Sequence, residues 1–202
     1  RLPPERLLMN MRQTTRNSIR KAYKTGVCFS IYDSRSPDIF IALEKWYVLY
    51  KETAERKGFF CGEYDYFTKL FSVRIENTDE CSGIFPIAAQ VPPPRFYLFT
   101  AHKDNTILSG LILAVCGSAA YYMYAASSLE GRECMPNYGL QWEIMRFARS
   151  QGCVSYDLMG IPPNGKSEHP MAGLYIFKTG FGGRKVKFCG TWDFPYDTEA
   201  YE

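Results

Sequence analysis

No stretch of the 202-residue chain approaches the ~20 consecutive apolar residues that a membrane-crossing helix needs, and no basic-then-apolar leader opens it. The expectation is a soluble, cytoplasmic protein with no integral membrane segment. Histidine is limited to His102 and His169, and the seven cysteines (Cys28, Cys61, Cys81, Cys116, Cys134, Cys153 and Cys189) include no CxxC pair. A structural zinc site needs clustered sulfur and nitrogen ligands, so no metal is expected. An odd set of scattered thiols reads as reduced rather than as a disulfide framework. There is no internal repeat, low-complexity segment or sustained heptad, which leaves out solenoids and coiled-coil arms. Methionine is absent from position 1: the chain opens Arg1-Leu2-Pro3 and runs directly into a helical pattern, which reads as a piece of something longer.

What is present forms cores. With 46% apolar and 22% charged residues, the chain can bury one compact domain with short appendages. Its 15 Tyr and 14 Phe fit either an aromatic core or a ring-lined groove, and composition does not separate the two. Leu8, Met11, Ile19, Ala22 and Tyr23 follow helical spacing up to the stop signal at Gly26, which predicts one helix over 4–26. An extended piece over 27–32 leads to the helix start Ser36-Pro37-Asp38. The helix over 39–57 should bury Leu43, Trp46, Tyr47, Tyr50 and Ala54 and stop before Gly58. A third helix is predicted from 64 to about 75, and the segment 77–95, with Ser82-Gly83, Pro86 and Pro92-Pro93-Pro94, as a loop.

Beyond it the period becomes that of strands. Segments 96–101, 106–116 and 119–125 predict an antiparallel meander, turned at Lys103-Asp104-Asn105 and Gly117-Ser118. A helix over 136–151 and a strand over 154–159 add a right-handed crossover, hence a mixed sheet. Two more strands, 173–177 and 186–192, are expected around the turn Gly180-Phe181-Gly182-Gly183. The fold class is α/β in the broad α+β sense, a mainly antiparallel mixed sheet flanked by helices in the element order of GNAT acyltransferases. Order alone assigns no chemistry.

Three features carry candidate chemistry. Arg12, Arg16, Arg20 and Lys24 recur at four-residue spacing, stacking four cations on one helix face. Residues 1–26 carry a net +6 against +3 for the whole chain, so the remainder sums to −3. Such a stripe suits a polyanion such as tRNA phosphate; equally it is a solvated face, or one paired with acids of a neighbouring domain. Next, Lys178 stands between an apolar run and a glycine turn, where an ammonium can meet developing negative charge or simply lie exposed on a hairpin. Lastly, Asp157 ends a central strand, where it can orient an amine or take a proton, or brace the following turn. Tyr122 and Tyr124 alternate on one strand and so are expected on one face, with Tyr138 opening the next helix; their rings can line a substrate groove or simply belong to the core. Where CoA-dependent GNAT enzymes carry [QR]xxGx[GA], the stretch from Leu129 to Gly139 has no such loop, so no CoA cofactor is expected.

Five motifs in series resemble the FemABX family: Leu7-Leu8-Met9-Asn10-Met11-Arg12 with Arg16-Asn17-Ser18-Ile19-Arg20-Lys21-Ala22, Tyr50-Lys51-Glu52-Thr53-Ala54-Glu55-Arg56-Lys57-Gly58-Phe59, Tyr138-Gly139-Leu140-Gln141-Trp142-Glu143, Tyr156-Asp157-Leu158-Met159-Gly160, and Gly173-Leu174-Tyr175-Ile176-Phe177-Lys178-Thr179-Gly180-Phe181-Gly182. The resemblance implies the second of two tandem GNAT-like domains, of the arm-less FemX type. Residues 1–26 would be a hinge helix from a missing first domain, 27–192 the acyltransferase domain and 193–202 a tail. It further implies transfer of an amino acid from aminoacyl-tRNA to the side-chain amine of a UDP-MurNAc-pentapeptide or lipid-linked peptidoglycan precursor. On this resemblance the Phe177-Lys178 pair sits at the tRNA acceptor end, with Lys178 stabilising the oxyanion. Tyr124, Tyr138 and Tyr156 line the groove, and Arg12, Arg16, Arg20 and Lys24 hold tRNA or phosphates. An acyl-CoA-dependent N-acyltransferase and a non-catalytic RNA-binding or bracing fragment are the alternatives.

Overall fold

A computed structural model describes residues 3–72, 93–162, 168–169, 171–190 and 193–196. Its centre is a five-stranded sheet in sequential order, β1 (Cys28–Tyr32), β2 (Arg95–Lys103), β3 (Thr106–Cys116), β4 (Ala119–Ser127) and β5 (Ser155–Asp157). The first four strands are antiparallel, and β5 lies parallel to β4. The β2–β3 hairpin turns through Asp104 and Asn105, both left-handed (φ 49° and 67°), a conformation that short polar side chains tolerate.

Helices cover both faces. On one face, α2 (Gln13–Lys24) and α5 (Pro136–Ser150) bring Ala22, Leu140, Ile144 and Ala148 against Phe99, Leu111, Leu113 and Val115. On the other, α3 (Ile39–Lys57) and α4 (Tyr64–Ser72) press Leu43, Trp46, Tyr50, Phe67 and Phe71 onto Leu98, Ile112 and Ala126. The α3 helix stops at Gly58 in the left-handed region (φ 68°), its N–H closing on the Ala54 carbonyl at 2.7 Å. Among the described residues no helix is long and apolar enough to cross a membrane.

Four sequence expectations need correction. The helix expected over 4–26 is two helices, α1 (Pro4–Asn10) and α2, joined by an elbow at Met11 and Arg12 with extended ψ angles of 153° and 147°. No glycine or proline marks this break because it is made by tertiary contacts: Met11 is buried, and the Arg12 N–H donates to the Gly180 carbonyl at 2.9 Å. The strand expected over 173–177 is the helix α6 (Ala172–Gly180). A short run such as Leu174-Tyr175-Ile176-Phe177 does not distinguish helix from strand by period, and here Phe177 and Phe181 meet one turn apart. The described part of 186–192 is not a strand. Finally, Tyr122 and Tyr124 do not share a face. Leu113 pairs with Tyr122 and Ile112 with Tyr124, so Met123 is a bulge that turns the two rings to opposite sides of the sheet. The loop expected over 77–95 and the end of the third helix fall mostly outside the described residues.

Gly110 supplies a close approach rather than a turn. A methyl there would lie 2.5 Å from Trp46 Cδ1 and 3.0 Å from the Phe99 carbonyl oxygen. Trp46 is fully buried and stacks on Tyr50 with centroids 4.9 Å apart, so the indole cannot retreat. Gly110→Ala is expected to destabilise by about 1–3 kcal/mol despite alanine's lower chain entropy, read as a lower urea midpoint at unchanged slope.

Candidate functional site

The parallel β4–β5 ladder is only three residue pairs long: Ala119 with Ser155, Ala120 with Tyr156 and Tyr121 with Asp157. Beyond it β5 ends while β4 continues to Ser127. Lys178, in the last turn of α6, enters beside this parting and is 5% exposed. Its Nζ donates to the Gly160 carbonyl at 2.9 Å and rests 4.9 Å from the centroid of the Tyr122 ring. Burial lowers the ammonium from its ordinary 10.5 to about 8, and the negative charge of Asp157 opposes that fall. The Gly160 carbonyl is aimed by a strained turn: Met159 is left-handed (φ 61°), and its N–H donates to Asp157 Oδ1 at 2.7 Å. Of the two roles open to Asp157 in the sequence, bracing the turn is the one its contacts display.

Tyr156 lies on the Tyr122 side of the sheet, since its ladder partner Ala120 is two residues from Tyr122 and precedes the bulge. Its hydroxyl donates to Gln141 Oε1 at 2.8 Å. Burial pushes both tyrosine hydroxyls well above their ordinary range, and each therefore stays protonated.

Phe177 points away from Lys178. Its ring meets Tyr138 edge-on at 5.0 Å and Phe181 at 5.2 Å, within a cluster built on Met11, Ile19, Trp142 and Phe181. Arg12 closes this side, its Nη2 donating to Thr179 Oγ1 at 3.1 Å. The glycines of the turn serve this docking. A methyl on Gly180 would lie 2.5 Å from Thr15 Oγ1, and one on Gly182 (φ 76°) 2.2 Å from the Asn10 carbonyl oxygen. The turn is thus pressed against the α1–α2 elbow.

Lys178 feels the charge of Asp157 and meets Tyr122, Tyr156 interacts with Tyr122 on the same side of the sheet, and Tyr138 of α5 packs on Phe177 of α6. Tyr124 does not join them: it lies on the opposite face, with its hydroxyl 2.8 Å from that of Tyr66 and Phe67 edge-on at 5.1 Å. Burial with that hydrogen bond pushes it up to about 12. Along the cationic stripe, Arg16 donates to the Met9 and Met11 carbonyls, satisfying the end of α1, and Arg20 to Asn17 Oδ1. Gln141 was missed as a site residue, and Tyr122, expected on one face with Tyr124, meets Lys178 without it. Gln141 had a signal, since an amide stands there on the buried stripe of α5 with Ile144 and Ala148. A cavity of about 260 Å³ between α1, α5, β5 and the glycine turn includes Tyr156 in its wall but not Lys178. Among the described residues, no cluster of three or more His, Cys, Asp or Glu is arranged to hold a metal.

An antiparallel meander, one parallel strand parting from it and helices on both faces define a GNAT-type acyltransferase fold. The crystal structure of FemX shares it with a TM-score of 0.69 at 21% identity, over 90% of this chain and 56% of that one. So does an aminoglycoside acetyltransferase from an uncultured soil metagenomic sample, with a TM-score of 0.53 at 14% identity over 86% and 99% of the two chains. The model of the FemAB family matches residues 1–76 and 97–202, and the chain belongs to that family. Lipid II:glycine glycyltransferase of Staphylococcus haemolyticus (strain JCSC1435) is 34% identical over 105 residues, 52% of this chain and 25% of that protein. The protein of the same name from Staphylococcus aureus (strain USA300) is 36% identical over 103 residues, 50% of this chain and 24% of that one. The matched stretch therefore spans about a quarter of those relatives' length.

Two outcomes follow. The folded Lys178 holds its proton less tightly than the unfolded one, so its destabilising effect is complete at low pH and is relieved as pH rises through about 8. Wild type should gain up to about 3 kcal/mol relative to Lys178→Met between roughly pH 7 and pH 10, measured by chemical denaturation of both proteins across that range. Gly182→Ala should cost upwards of about 2 kcal/mol in the same assay, from backbone strain added to the clash with Asn10.

Proposed function

We propose that the chain is the acyl-transferring part of a tRNA-dependent aminoacyltransferase. It adds an amino acid to the side-chain amine of a peptidoglycan-precursor stem peptide, in the cytoplasm and joined to a first GNAT-like domain. The observation that carries this reading is Lys178. Lysine offers three N–H donors; the Gly160 carbonyl takes one and the Tyr122 face receives another, leaving one for a ligand oxygen among the described residues. Similarity to proteins named lipid II:glycine glycyltransferase supports the acceptor class.

In this reaction the acceptor amine attacks the ester carbonyl of aminoacyl-tRNA, and the carbonyl oxygen takes up negative charge. The tetrahedral species then collapses: the ester C–O bond breaks, and the departing ribose oxygen takes up the proton that the amine gives up and leaves as the terminal hydroxyl. An aminoacyl ester is already activated, so orientation and one well-placed cation are what the protein has to supply. Lys178 places its remaining N–H where that oxyanion forms, in surroundings dry enough for the charge to count. Phe177 and Tyr138 hold α6 at the acceptor end, Tyr156 and Asp157 shape the opposite wall, and Arg12, Arg20 and Lys24 face the tRNA phosphates. No CoA cofactor enters this scheme.

The test uses the full chain joined to its first domain, glycyl-tRNA, and either UDP-MurNAc-pentapeptide or the lipid-linked precursor as acceptor. Lys178→Met is expected to lower kcat by roughly 10²–10³-fold with an unchanged circular dichroism spectrum. Transfer at the wild-type rate removes Lys178 from the mechanism, and turnover with acyl-CoA instead of aminoacyl-tRNA replaces the donor.

A further inference from the structure

Among the described residues, six polar or charged side chains are buried, and only Gln141 and Lys178 carry an amide or a charge. The other four are hydroxyls: Thr15, Thr53, Thr100 and Ser109. Gln141 and Lys178 come from different helices, α5 and α6, and each meets one member of the same tyrosine pair. Gln141 Oε1 accepts the Tyr156 hydroxyl at 2.8 Å, and Lys178 Nζ lies over the Tyr122 ring at 4.9 Å. Tyr156 is in the parallel ladder and Tyr122 lies one residue past its end, two residues from Tyr156's partner Ala120, both packed against the α5-facing core.

This location is where the sheet needs an outside constraint. After Tyr121 and Asp157 no ladder bond ties β5 to β4, so the mutual position of the two rings depends on what holds Tyr156 from above. The Gln141 amide is 2% exposed and comes from a helix fixed by its own apolar stripe. A hydrogen bond from so rigid a base fixes the direction of the Tyr156 ring, which a purely apolar contact does not.

We infer that Gln141 is a positioning residue for Lys178, acting through Tyr156 and Tyr122 to set the aromatic face on which the ammonium rests. The placement rests on geometry alone; its importance for turnover rests on the aminoacyl-transfer reading above. Among the described residues, Lys178 meets the Tyr122 ring from β4 and feels the Asp157 charge from β5, Tyr156 interacts with Tyr122, and Arg12 from the elbow reaches the lysine's neighbour Thr179. Neutrality of the amide matters in this company. A carboxylate at 141 would still accept the Tyr156 hydroxyl but would add a negative charge near the ammonium.

The experiment titrates Lys178 by NMR in the full chain labelled with [13Cε]lysine, the signal being assigned by its loss in Lys178→Met. Wild type should titrate near 8. Gln141→Glu, which keeps the hydrogen bond, should raise the midpoint by roughly one pH unit or more through its charge. Gln141→Leu and Tyr156→Phe should both raise it as water reaches the loosened pair, and the double variant should do no more than either single one, because both break the same bond. The falling limb of kcat against pH should move upward with the midpoint. A midpoint unmoved in both Gln141→Leu and Tyr156→Phe overturns the inference. Because Tyr156→Phe removes one oxygen and keeps the ring, it serves as the readout where Gln141→Leu fails to fold. Midpoints that move in a protein without transfer activity uphold the positioning role and sink the functional reading. Active protein with unmoved midpoints does the reverse.

Discussion

An ammonium under protein is the constraint around which this end of the molecule is arranged. Removing a lysine charge from water is unfavourable unless other groups replace its hydration, and the alternative is to give up the proton. Around Lys178 the replacement is partial: one carbonyl, one aromatic face and the field of a carboxylate that itself remains exposed. The pKa of about 8 expresses that balance. Full compensation by a buried carboxylate would hold the cation firmly and leave it nothing to give a ligand. Complete desolvation would neutralise it. Among the described residues, the arrangement keeps a charge with only these partners.

Irregularities in the backbone accompany these partial compensations. The Gly160 carbonyl is aimed by the left-handed Met159, which the Asp157 side chain holds through its N–H. The Tyr122 ring follows the alternation from Ala120, ahead of the bulge at Met123, and that bulge turns Tyr124 to the other core, so the strand serves one core before Met123 and the other after it. A regular strand would place Tyr122 and Tyr124 together and leave one of the two cores short of an aromatic side chain. The helix that brings Lys178 stops where Gly180 and Gly182 run against Thr15 and Asn10 at distances no larger residue permits. The elbow between α1 and α2 belongs to the same contact, since Arg12 binds Gly180 through its backbone and Thr179 through its guanidinium.

These features divide what was legible in the sequence from what was not. Period and punctuation were enough for Ile39–Lys57 and Thr106–Cys116, elements whose signals are local: an apolar stripe ending at Gly58, and a strand entered through Asp104 and Asn105. They failed at the elbow because Met11 and Arg12 are unremarkable helix formers, and the force that extends them comes from Gly180, more than 160 residues away. They failed at α6 because Leu174-Tyr175-Ile176-Phe177 satisfies strand propensity, while the helix is fixed by packing of Phe177 and Phe181 on Tyr138. Alternation along β4 misplaced Tyr124 for a related reason, since a bulge has no residue signature unless it needs glycine. Lys178 was expected between a strand and a turn, and it stands instead in the last turn of a helix. The Phe-Lys motif named the residue without its environment, and only the fold shows that it is buried.

The same geometry explains how an acyltransferase fold can hold this lysine at all. In an open sheet, the place where two parallel strands part leaves backbone and side chains of both strands facing a gap, and a ligand ordinarily enters there. Here β5 stops after three pairs, and Lys178 in the last turn of α6, where the helix dipole favours positive charge, reaches Tyr122 and the Gly160 carbonyl. The dipole and the Gly160 carbonyl work in the same direction, and desolvation works against them. A cation held in that way responds strongly to any new negative charge, because an oxyanion arriving in the gap would restore much of the hydration that burial removed. In the proposed reaction the ground state would be the undercompensated one, so electrostatic stabilisation would grow as charge develops on the ligand, which is what separates stabilising a transition state from merely binding a substrate.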